Sequence, residues 1–323
     1  AHFTDRDYER AGAQIVYGRD EVYMRSDVVC RVGALQREEL DLLRADSVIC
    51  AFHHLAVASR EIVQRLMALK VTIIGYEVIQ DDNGDLPVLL PMSEMAGQMS
   101  IHIADQYLQA ESGGRGVLMG NVAGVPPPTI LILGAGGVGR AAARQALAIG
   151  AHAIVLDIDL AKLQLIHRHV PCQVVTALPV AERLEYYASI ADVLIGAILI
   201  PGARSPFLVT EEMVKGMKRG AVIIDISIDQ GGCVETSRPT ILSSPTFVKH
   251  GVVHYCVPNL TANIPRTASR ALANAALPYL LALASKGPAR ALRDDPGLAA
   301  GTYFWRGRMV NEKVGATLGI PPA

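Results

Sequence analysis

The chain has 323 residues, half of them hydrophobic, and a formal net charge of −1 at pH 7. This length allows two globular domains with large cores. The balanced charge gives no electrostatic reason to expect nucleic acid or an anionic membrane as a partner. The most apolar helical stretch, Ala271 to Ala284, is too short to span a bilayer, so it predicts a buried or subunit-interface helix.

The five cysteines are scattered and form no CxxC pair. Their spacing indicates free thiols in a reducing compartment, and the absence of a recognisable signal peptide at Ala1 agrees with a cytoplasmic protein. His53, His54, His167 and His169 lack partners at metal-ligand spacing, so no metal site is predicted.

The segment from Thr4 to Asp85 alternates strand-like and helix-like stretches. Strands are predicted at residues 14–18, 27–32, 47–52 and 71–77, and helices at 37–44 and 59–70. Ser59 is placed as the N-cap of the second helix. Such alternation predicts a parallel sheet with crossover helices, although the first strand has no obvious partner before Gln14. Ser93 is predicted to cap a further helix that ends at about Gln109.

Residues 129–159 are the most informative part of the sequence. They predict a strand (Thr129–Leu133), a glycine turn (Gly134-x-Gly136-x-x-Gly139), a helix (Arg140–Ile149) and a second strand (Ala153–Leu156) that is followed by the acid Asp157. This order within about 30 residues is the dinucleotide-binding fingerprint of a Rossmann domain. A glycine motif alone would be weak support, since glycine turns are common.

Each residue type in the fingerprint has a physical reason. Gly134 permits a tight turn, Gly136 lets the backbone approach a pyrophosphate, and Gly139 lets the helix pack close to the strand. The first N–H groups of the helix favour negative charge, so Gly137 and Val138 are also predicted cofactor contacts. Asp157 is expected to bind the adenine ribose and to repel a 2′-phosphate. The predicted cofactor is therefore NAD rather than NADP.

Three further strands are predicted at residues 191–197, 221–227 and 252–257, with a helix capped by Thr210 between the first two. They complete an open, doubly wound parallel sheet, whose ligands lie at the carboxyl ends of the strands. The predicted fold class is α/β: an NAD-binding domain at residues 88–265, and a substrate domain formed by residues 1–87 and 266–323.

Several motifs closely resemble the alanine dehydrogenase family and, more distantly, the nucleotide-binding part of proton-translocating transhydrogenase. They are PMSEMAGQ (91–98), GGRGVLMGNVAGVPP (113–127), ADVLIGAILIPGARSP (191–206), DISIDQGGCVETSRPT (225–240) and HYCVPNLTANIPRTAS (254–269). The resemblance runs from about Thr4 to Pro321.

The resemblance implies a dehydrogenase with a cleft between its two domains, assembled as a homo-oligomer, usually a hexamer, with a dimer as the other option. It places the nicotinamide near Ile228, Asp229 and Asn259. Ser93, Ile198 and Leu199 are further cofactor contacts that it implies.

The family has an Asp and a His beside the substrate carbon that exchanges hydride, and they match Asp229 and His54. Asp229 follows a strand and precedes two glycines, where an α/β sheet places ligands. A loop-capping acid is the other interpretation. The imidazole of His54 suits proton transfer, but a structural histidine after an apolar strand fits the same sequence.

Two substrate-binding cations of the family have no counterpart here. A family Arg lies in an opening segment that would precede Ala1, and this segment is either lost or not included in the sequence, whereas a family Lys corresponds to Gly33 within the chain. Each charge-assisted hydrogen bond to a carboxylate contributes roughly 1.5–3 kcal/mol, so efficient alanine dehydrogenation by the usual mechanism is not expected. Arg31, two residues before Gly33, is a candidate replacement, with a solvated strand residue as the other interpretation.

The sequence thus predicts an NAD-dependent oxidoreductase that acts on a small-molecule substrate, an amino acid or its 2-oxo or imine counterpart. The alternative is an NAD-binding pseudoenzyme or regulatory subunit without turnover. The missing cations favour this alternative, whereas the retained Asp229 and His54 favour the enzyme.

Overall fold

A computed structural model describes residues 3–170 and 174–321. The chain divides into two compact units. Unit 1 consists of Ala1–Pro91, Pro201–Arg204 and Ile264–Ala323, and unit 2 of Met92–Ile200 and Ser205–Asn263. The boundary between Asn263 and Ile264 falls directly before the helix Pro265–Lys286, whereas that between Pro91 and Met92 falls in the first turn of the helix Leu90–Leu108.

The secondary structure alternates strands and helices through most of the chain. The α-helices are α1 (Asp5–Arg10), α2 (Arg19–Arg25), α3 (Arg60–Ala68), α4 (Leu90–Leu108), α5 (Gly137–Ala148), α6 (Leu160–His169), α7 (Ala181–Ile190), α8 (Glu211–Gly216), α9 (Pro265–Lys286), α10 (Pro288–Asp294), α11 (Pro296–Ala300) and α12 (Glu312–Leu318). The strands are β1 (Val28–Cys30), β2 (Val48–Ala51), β3 (Thr72–Gly75), β4 (Thr129–Leu133), β5 (His152–Leu156), β6 (Val175–Ala177), β7 (Val193–Gly196), β8 (Val222–Asp225), β9 (Thr246–Lys249), β10 (Val252–Tyr255), β11 (Thr302–Trp305) and β12 (Arg308–Met309).

Unit 1 contains a five-stranded sheet with the order β1-β2-β3-β11-β12. The first three strands are parallel, and β11 runs antiparallel to β3. Ile49, Ile73 and Phe304 belong to one buried cluster on this sheet. Because β1, β2 and β3 are parallel, the loops that follow them lie at the same edge of the sheet.

Unit 2 contains a seven-stranded sheet with the order β6-β5-β4-β7-β8-β10-β9. All neighbours are parallel except β9 and β10. In β4, Ile130 and Ile132 face one buried cluster, whereas Leu131 and Leu133 face another. A parallel strand buried on both faces needs apolar residues at every position, as β4 has. The strand order and this burial on both faces confirm the predicted doubly wound α/β fold.

Two local predictions were wrong. Residues 14–18 form no strand: they connect α1 to α2, no neighbouring strand pairs with them, and Tyr17 is 92% exposed. Ser93 does not cap α4, because that helix begins at Leu90, where the N–H bonds to the carbonyl of Leu86. Pro91 fits the first turn, where a missing N–H costs no helical hydrogen bond.

Other elements are shorter than predicted or were not predicted. β1 covers only part of residues 27–32, and Arg37–Leu42 is a 3-10 helix. The antiparallel strands β9 and β11 were missed. The predicted N-caps Ser59 and Thr210 are confirmed, since their hydroxyls accept from the N–H groups of Ile62 and Met213 at 3.3 Å. In the two described ranges, no helix has the length and apolarity needed to cross a membrane.

Candidate active site

The glycine turn joins the central strand β4 to helix α5. Gly134 has a φ of +108°, and a Cβ atom on it would lie 2.5 Å from the carbonyl oxygen of Ala197. A Cβ atom on Gly139 would overlap the carbonyl oxygen of Gly134. The helix can therefore approach the strand this closely only with glycine at position 139, and Gly134 leaves no room for a side chain beside the loop after β7.

Gly136 differs from the other two glycines of the motif. A Cβ atom on it would meet no atom within 4 Å, so packing within the protein does not explain the glycine. It is the N-cap of α5, whose first residues are Gly137 and Val138. The first N–H groups of a helix have no intrahelical acceptor. Open space beside unpaired donors is the arrangement that an anionic group fits.

Asp157 follows β5 and connects it to the glycine turn. One of its carboxylate oxygens accepts from the N–H of Ala135 at 2.7 Å, and the other from the N–H of Asp159 at 2.9 Å. The residue is 9% exposed. Asp157 thus holds the turn in place in addition to its predicted role toward the ribose, and each oxygen keeps a second acceptor site.

The remaining predicted cofactor contacts of unit 2 follow neighbouring strands. Ile198 and Leu199 follow β7, and the N–H of Ile198 donates to the Ser227 hydroxyl at 2.9 Å. Ile228 and Asp229 lie in a 3-10 helix directly after β8. These strands are parallel, so all these residues share one edge of the sheet with the glycine turn.

Asp229 is tied to the loop that follows β10. Its Oδ1 accepts from the N–H of Asn259 at 2.9 Å, and Asn259 has a φ of +52°. The structure therefore brings Asp229 and Asn259 into direct contact, although 30 residues separate them in sequence. Ser93 lies on α4, one helical turn before Gly97, where a Cβ atom would overlap the carbonyl oxygen of Val138 in α5.

Asp225 is a buried acid beside this edge that was not predicted as part of the site. Its Oδ2 accepts from the N–H groups of Cys233 and Val234 at 3.0 and 3.2 Å. Burial raises the pKa of this carboxyl. The contacts fix the loop that contains Gly231 and Gly232, both with positive φ. The sequence feature that could have identified Asp225 is its position as an acid at the end of the apolar strand β8.

In unit 1, His54 follows β2 at the carboxyl edge of the parallel strands. Its backbone is left-handed, with φ of +49° and ψ of +43°. This conformation costs a non-glycine residue roughly 1–2 kcal/mol. The ring stacks on Phe52 with centroids 6.2 Å apart. Its Nδ1 atom is buried and has no hydrogen-bond partner among residues 3–170 and 174–321.

His53 and Glu77 lie beside His54 but differ from it in environment. Burial lowers the pKa of His53 to about 4, so this imidazole is neutral at physiological pH. Glu77, directly after β3, is 3% exposed and accepts from the N–H of His54 at 2.6 Å. Glu77 was not predicted as a site residue, although it closes an apolar strand as Asp157 does.

Arg31 follows β1 at the same edge of the sheet. Its Nη1 donates to Glu39 at 2.6 Å and to the Tyr23 hydroxyl at 2.8 Å. The carboxylate of Glu39 is nearly buried, so the guanidinium has a firm internal partner. Gly33, two residues later, is exposed, and a Cβ atom there would meet nothing within 4 Å.

Within each unit, the predicted residues gather at one sheet edge. In unit 2 these are the glycine turn, Asp157 and the loops after β7, β8 and β10; in unit 1 they are Arg31 and His54. In the part of the chain that the structure describes, no cluster of three or more His, Cys, Asp or Glu side chains could hold a metal ion.

Two family profiles match nearly the whole chain. "Alanine dehydrogenase/PNT, N-terminal domain" matches residues 1–96, and "Alanine dehydrogenase/PNT, C-terminal domain" matches residues 100–312. The chain belongs to the alanine dehydrogenase/PNT family. This confirms the resemblance found in the sequence.

Members of this family are similar to almost the full length of this chain. Alanine dehydrogenase of Mycobacterium tuberculosis is 42% identical over 98% of this chain and 85% of its own. That of Halomonas elongata is 39% identical over 99% of this chain and 86% of its own. A solved L-alanine dehydrogenase has a TM-score of 0.88 at 39% identity and covers 98% of this chain and 87% of its own.

A transhydrogenase from Sinorhizobium meliloti shares the fold, with a TM-score of 0.74 at 22% identity over 96% of this chain and 86% of its own. The family profiles and the alanine dehydrogenases among these relatives confirm that the chain is an oxidoreductase of the alanine dehydrogenase family. Nothing in them favours a subunit without turnover.

The left-handed backbone of His54 predicts an unusual order of stability between two variants. Glycine adopts this conformation without strain, so we expect His54→Gly to be more stable than His54→Ala by about 1 kcal/mol. Urea unfolding of both variants measures this difference. Ala56→Gly is the control, because Ala56 lies in the following 3-10 helix and glycine there costs roughly 0.5–1 kcal/mol. A less stable His54→Gly would mean that the turn is not strained.

Proposed function

We propose that the chain is an NAD-dependent amino acid dehydrogenase, which interconverts a small amino acid and its 2-oxo acid or imine counterpart. The observation that carries this proposal is the open glycine turn at the start of α5, in a chain whose relatives are named alanine dehydrogenases. The substrate would be a small molecule, an amino acid or its 2-oxo acid or imine counterpart, as the names of these relatives suggest.

The residues of unit 2 fit a dinucleotide. The space beside Gly136 would take the diphosphate, with the N–H groups of Gly137 and Val138 as donors. Asp157 would accept from the adenine ribose hydroxyls and disfavour the 2′-phosphate of NADP. The rest of the cofactor would contact Ser93, Ile198, Leu199, Ile228 and Asn259. NAD is therefore the dinucleotide that this set supports.

Bound NAD would supply the hydride acceptor, and its reduced form the hydride donor. We propose that His54 moves the proton of the substrate nitrogen or oxygen, because its Nδ1 is buried and Nε2 is the ring nitrogen left for a reactant. Asp229 would stabilise the positive charge of an amine or imine, held in place by the N–H of Asn259.

Arg31 is the cation that we propose for the substrate carboxylate. Among the described contacts of its guanidinium, those to Glu39 and Tyr23 both use Nη1. An arginine has five N–H donors in a planar fork, so other donors remain for a carboxylate. Gly33 leaves open space beside this segment.

Assembly and compartment are also proposals. Leu277 and Leu281 are more than half exposed on α9, which supports a homo-oligomer, a hexamer by analogy with the family or a dimer. Cys30, Cys50, Cys233 and Cys256 are free thiols, which supports a cytoplasmic protein.

Kinetics with a substrate panel tests the proposed function. We expect NADH oxidation with at least one 2-oxo acid in the presence of ammonia. Since a general acid–base contributes typically 10²–10⁴-fold, His54→Ala should lower kcat by about that factor while NADH binding, followed by its fluorescence, stays within about threefold. Asp229→Asn should also lower kcat.

His152→Ala is the matched control for the histidine substitution. His152 is exposed and begins β5, at the sheet edge opposite the glycine turn, so its removal should leave kcat unchanged. If the wild-type protein binds NADH but turns over none of the panel, it is a pseudoenzyme. A His54→Ala variant with wild-type kcat would exclude the role of His54.

Gly33→Lys tests the proposal for the carboxylate cation. A Cβ atom at position 33 would meet no atom within 4 Å, and one added charge-assisted hydrogen bond is worth roughly 1.5–3 kcal/mol. We therefore expect KM for the 2-oxo acid to fall by about 10- to 150-fold. Arg31→Ala should raise KM in the wild-type background. In the Gly33→Lys background, the same substitution should raise KM by a smaller factor.

Gly33→Met provides the uncharged control, since its side chain is unbranched and similar in bulk to that of lysine. It should leave KM within about twofold. Equal KM values for the Lys and Met variants would show that position 33 does not face the substrate carboxylate. An unchanged KM in Arg31→Ala would remove Arg31 from the site.

A further inference from the structure

The described hydrogen bonds of the Glu77 carboxylate come from one turn of unit 1 and from one tyrosine. Its Oε1 accepts from the N–H of His53 at 3.0 Å, the N–H of His54 at 2.6 Å and the hydroxyl of Tyr303 at 2.8 Å. Its Oε2 lies 3.3 Å from the N–H of His53. Three donors therefore converge on one oxygen of a buried anion.

The turn at His54 needs such a partner. Two consecutive N–H groups pointing to the same side form a concave anion site, and here an internal carboxylate occupies it. His54 is left-handed in this turn, which L-residues adopt only where the surroundings impose it. The Glu77 carboxylate is what links this turn, after β2, to the end of β3.

Tyr303 reaches Glu77 from the neighbouring strand β11. A Cβ atom on Gly75 would overlap the tyrosine ring, so only glycine at that position lets the hydroxyl reach the carboxylate. Tyr303 is 1% exposed and 226 residues away from Glu77 in sequence. The contact thus depends on the pairing of β11 with β3.

The side chain of His54 lacks the usual orienting contact. An acid–base histidine is commonly oriented by a hydrogen bond from the ring nitrogen that does not meet the substrate. In residues 3–170 and 174–321, Nδ1 of His54 has no such partner. Its ring is held by the backbone turn and by stacking on Phe52. Whatever fixes the backbone turn therefore fixes the Cβ position from which the ring meets Phe52.

We propose that Glu77, supported by Tyr303, is a positioning residue that holds the His54 imidazole in the orientation for proton transfer. The inference rests on the proposed role of His54 in turnover. Glu77 acts through the backbone of His54 and does not touch the substrate, because the residue is buried, its Oε1 is occupied by three internal donors and its Oε2 lies against the N–H of His53. A small displacement of an acid–base group is enough to slow a reaction by about 100-fold.

The test is a double-mutant cycle of Glu77→Gln and His54→Ala, with kcat and the affinity for NADH as readouts. We expect Glu77→Gln alone to lower kcat by about 10- to 100-fold and to change NADH affinity by less than threefold. Beside His54→Ala, the same substitution should change the residual kcat by less than twofold, because the group that Glu77 positions is gone.

Tyr303→Phe keeps the inference testable if Glu77→Gln fails to fold. It removes one of the three donors and should lower kcat by about 3- to 10-fold, again only when His54 is present. Thr302→Val is the matched control: it removes a buried hydroxyl from the adjacent residue of β11, one that bonds to the carbonyl of Leu298 instead. It should leave kcat within twofold.

The outcomes separate the two proposals. If His54→Ala retains wild-type kcat, the proposed function of His54 fails. If His54→Ala loses activity but the effects of the two substitutions multiply, Glu77 has a general structural role and the positioning inference is overturned. A Glu77→Gln or Tyr303→Phe variant with wild-type kcat overturns it as well.

Discussion

The close approach of helix α5 to the end of strand β4 is the contact on which the unit 2 site depends. The Cα of Gly139 packs on the carbonyl of Gly134, where any side chain would overlap. This contact aims the first turn of α5, and thus its unpaired N–H groups, at the open space beside Gly136. Two glycines are explained by packing inside the protein, and we propose that the third, at the N-cap of α5, leaves space for the cofactor.

Three buried acids serve a common purpose in the two sheets. Asp157, Asp225 and Glu77 each lie at or directly after the carboxyl end of a parallel strand, and each accepts backbone N–H groups from a neighbouring loop. Loops at this edge carry the candidate site, yet loops are ordinarily the mobile part of a fold. A carboxylate that bonds backbone donors fixes a loop without using the side chains that must meet a ligand. Buried charge is costly unless it is hydrogen-bonded in this way.

The central strand and the glycine turn of unit 2 could be predicted from the sequence, because residues that are neighbours in the chain determine them. The apolar run at β4, the glycine spacing and Asp157 follow one another in the chain, and so the turn was predicted residue by residue. The contacts between distant residues could not be predicted in that way. Tyr303 meets Glu77 only because β11 pairs with β3, and residues 14–18 have strand-forming side chains but no strand beside them. The Arg31–Glu39 pair likewise depends on how the loop after β1 folds back.

The most direct test of this account is the titration of NADH into the wild-type protein and into Gly136→Ala, followed by calorimetry. A methyl group at position 136 meets no protein atom within 4 Å, so the variant should lose no more than the roughly 1 kcal/mol that alanine costs at an N-cap. It would occupy the space assigned to the diphosphate, and we expect NADH to bind at least about tenfold more weakly, a difference of 1.4 kcal/mol. Equal affinity of the two proteins for NADH, or no binding to the wild type, would contradict the account.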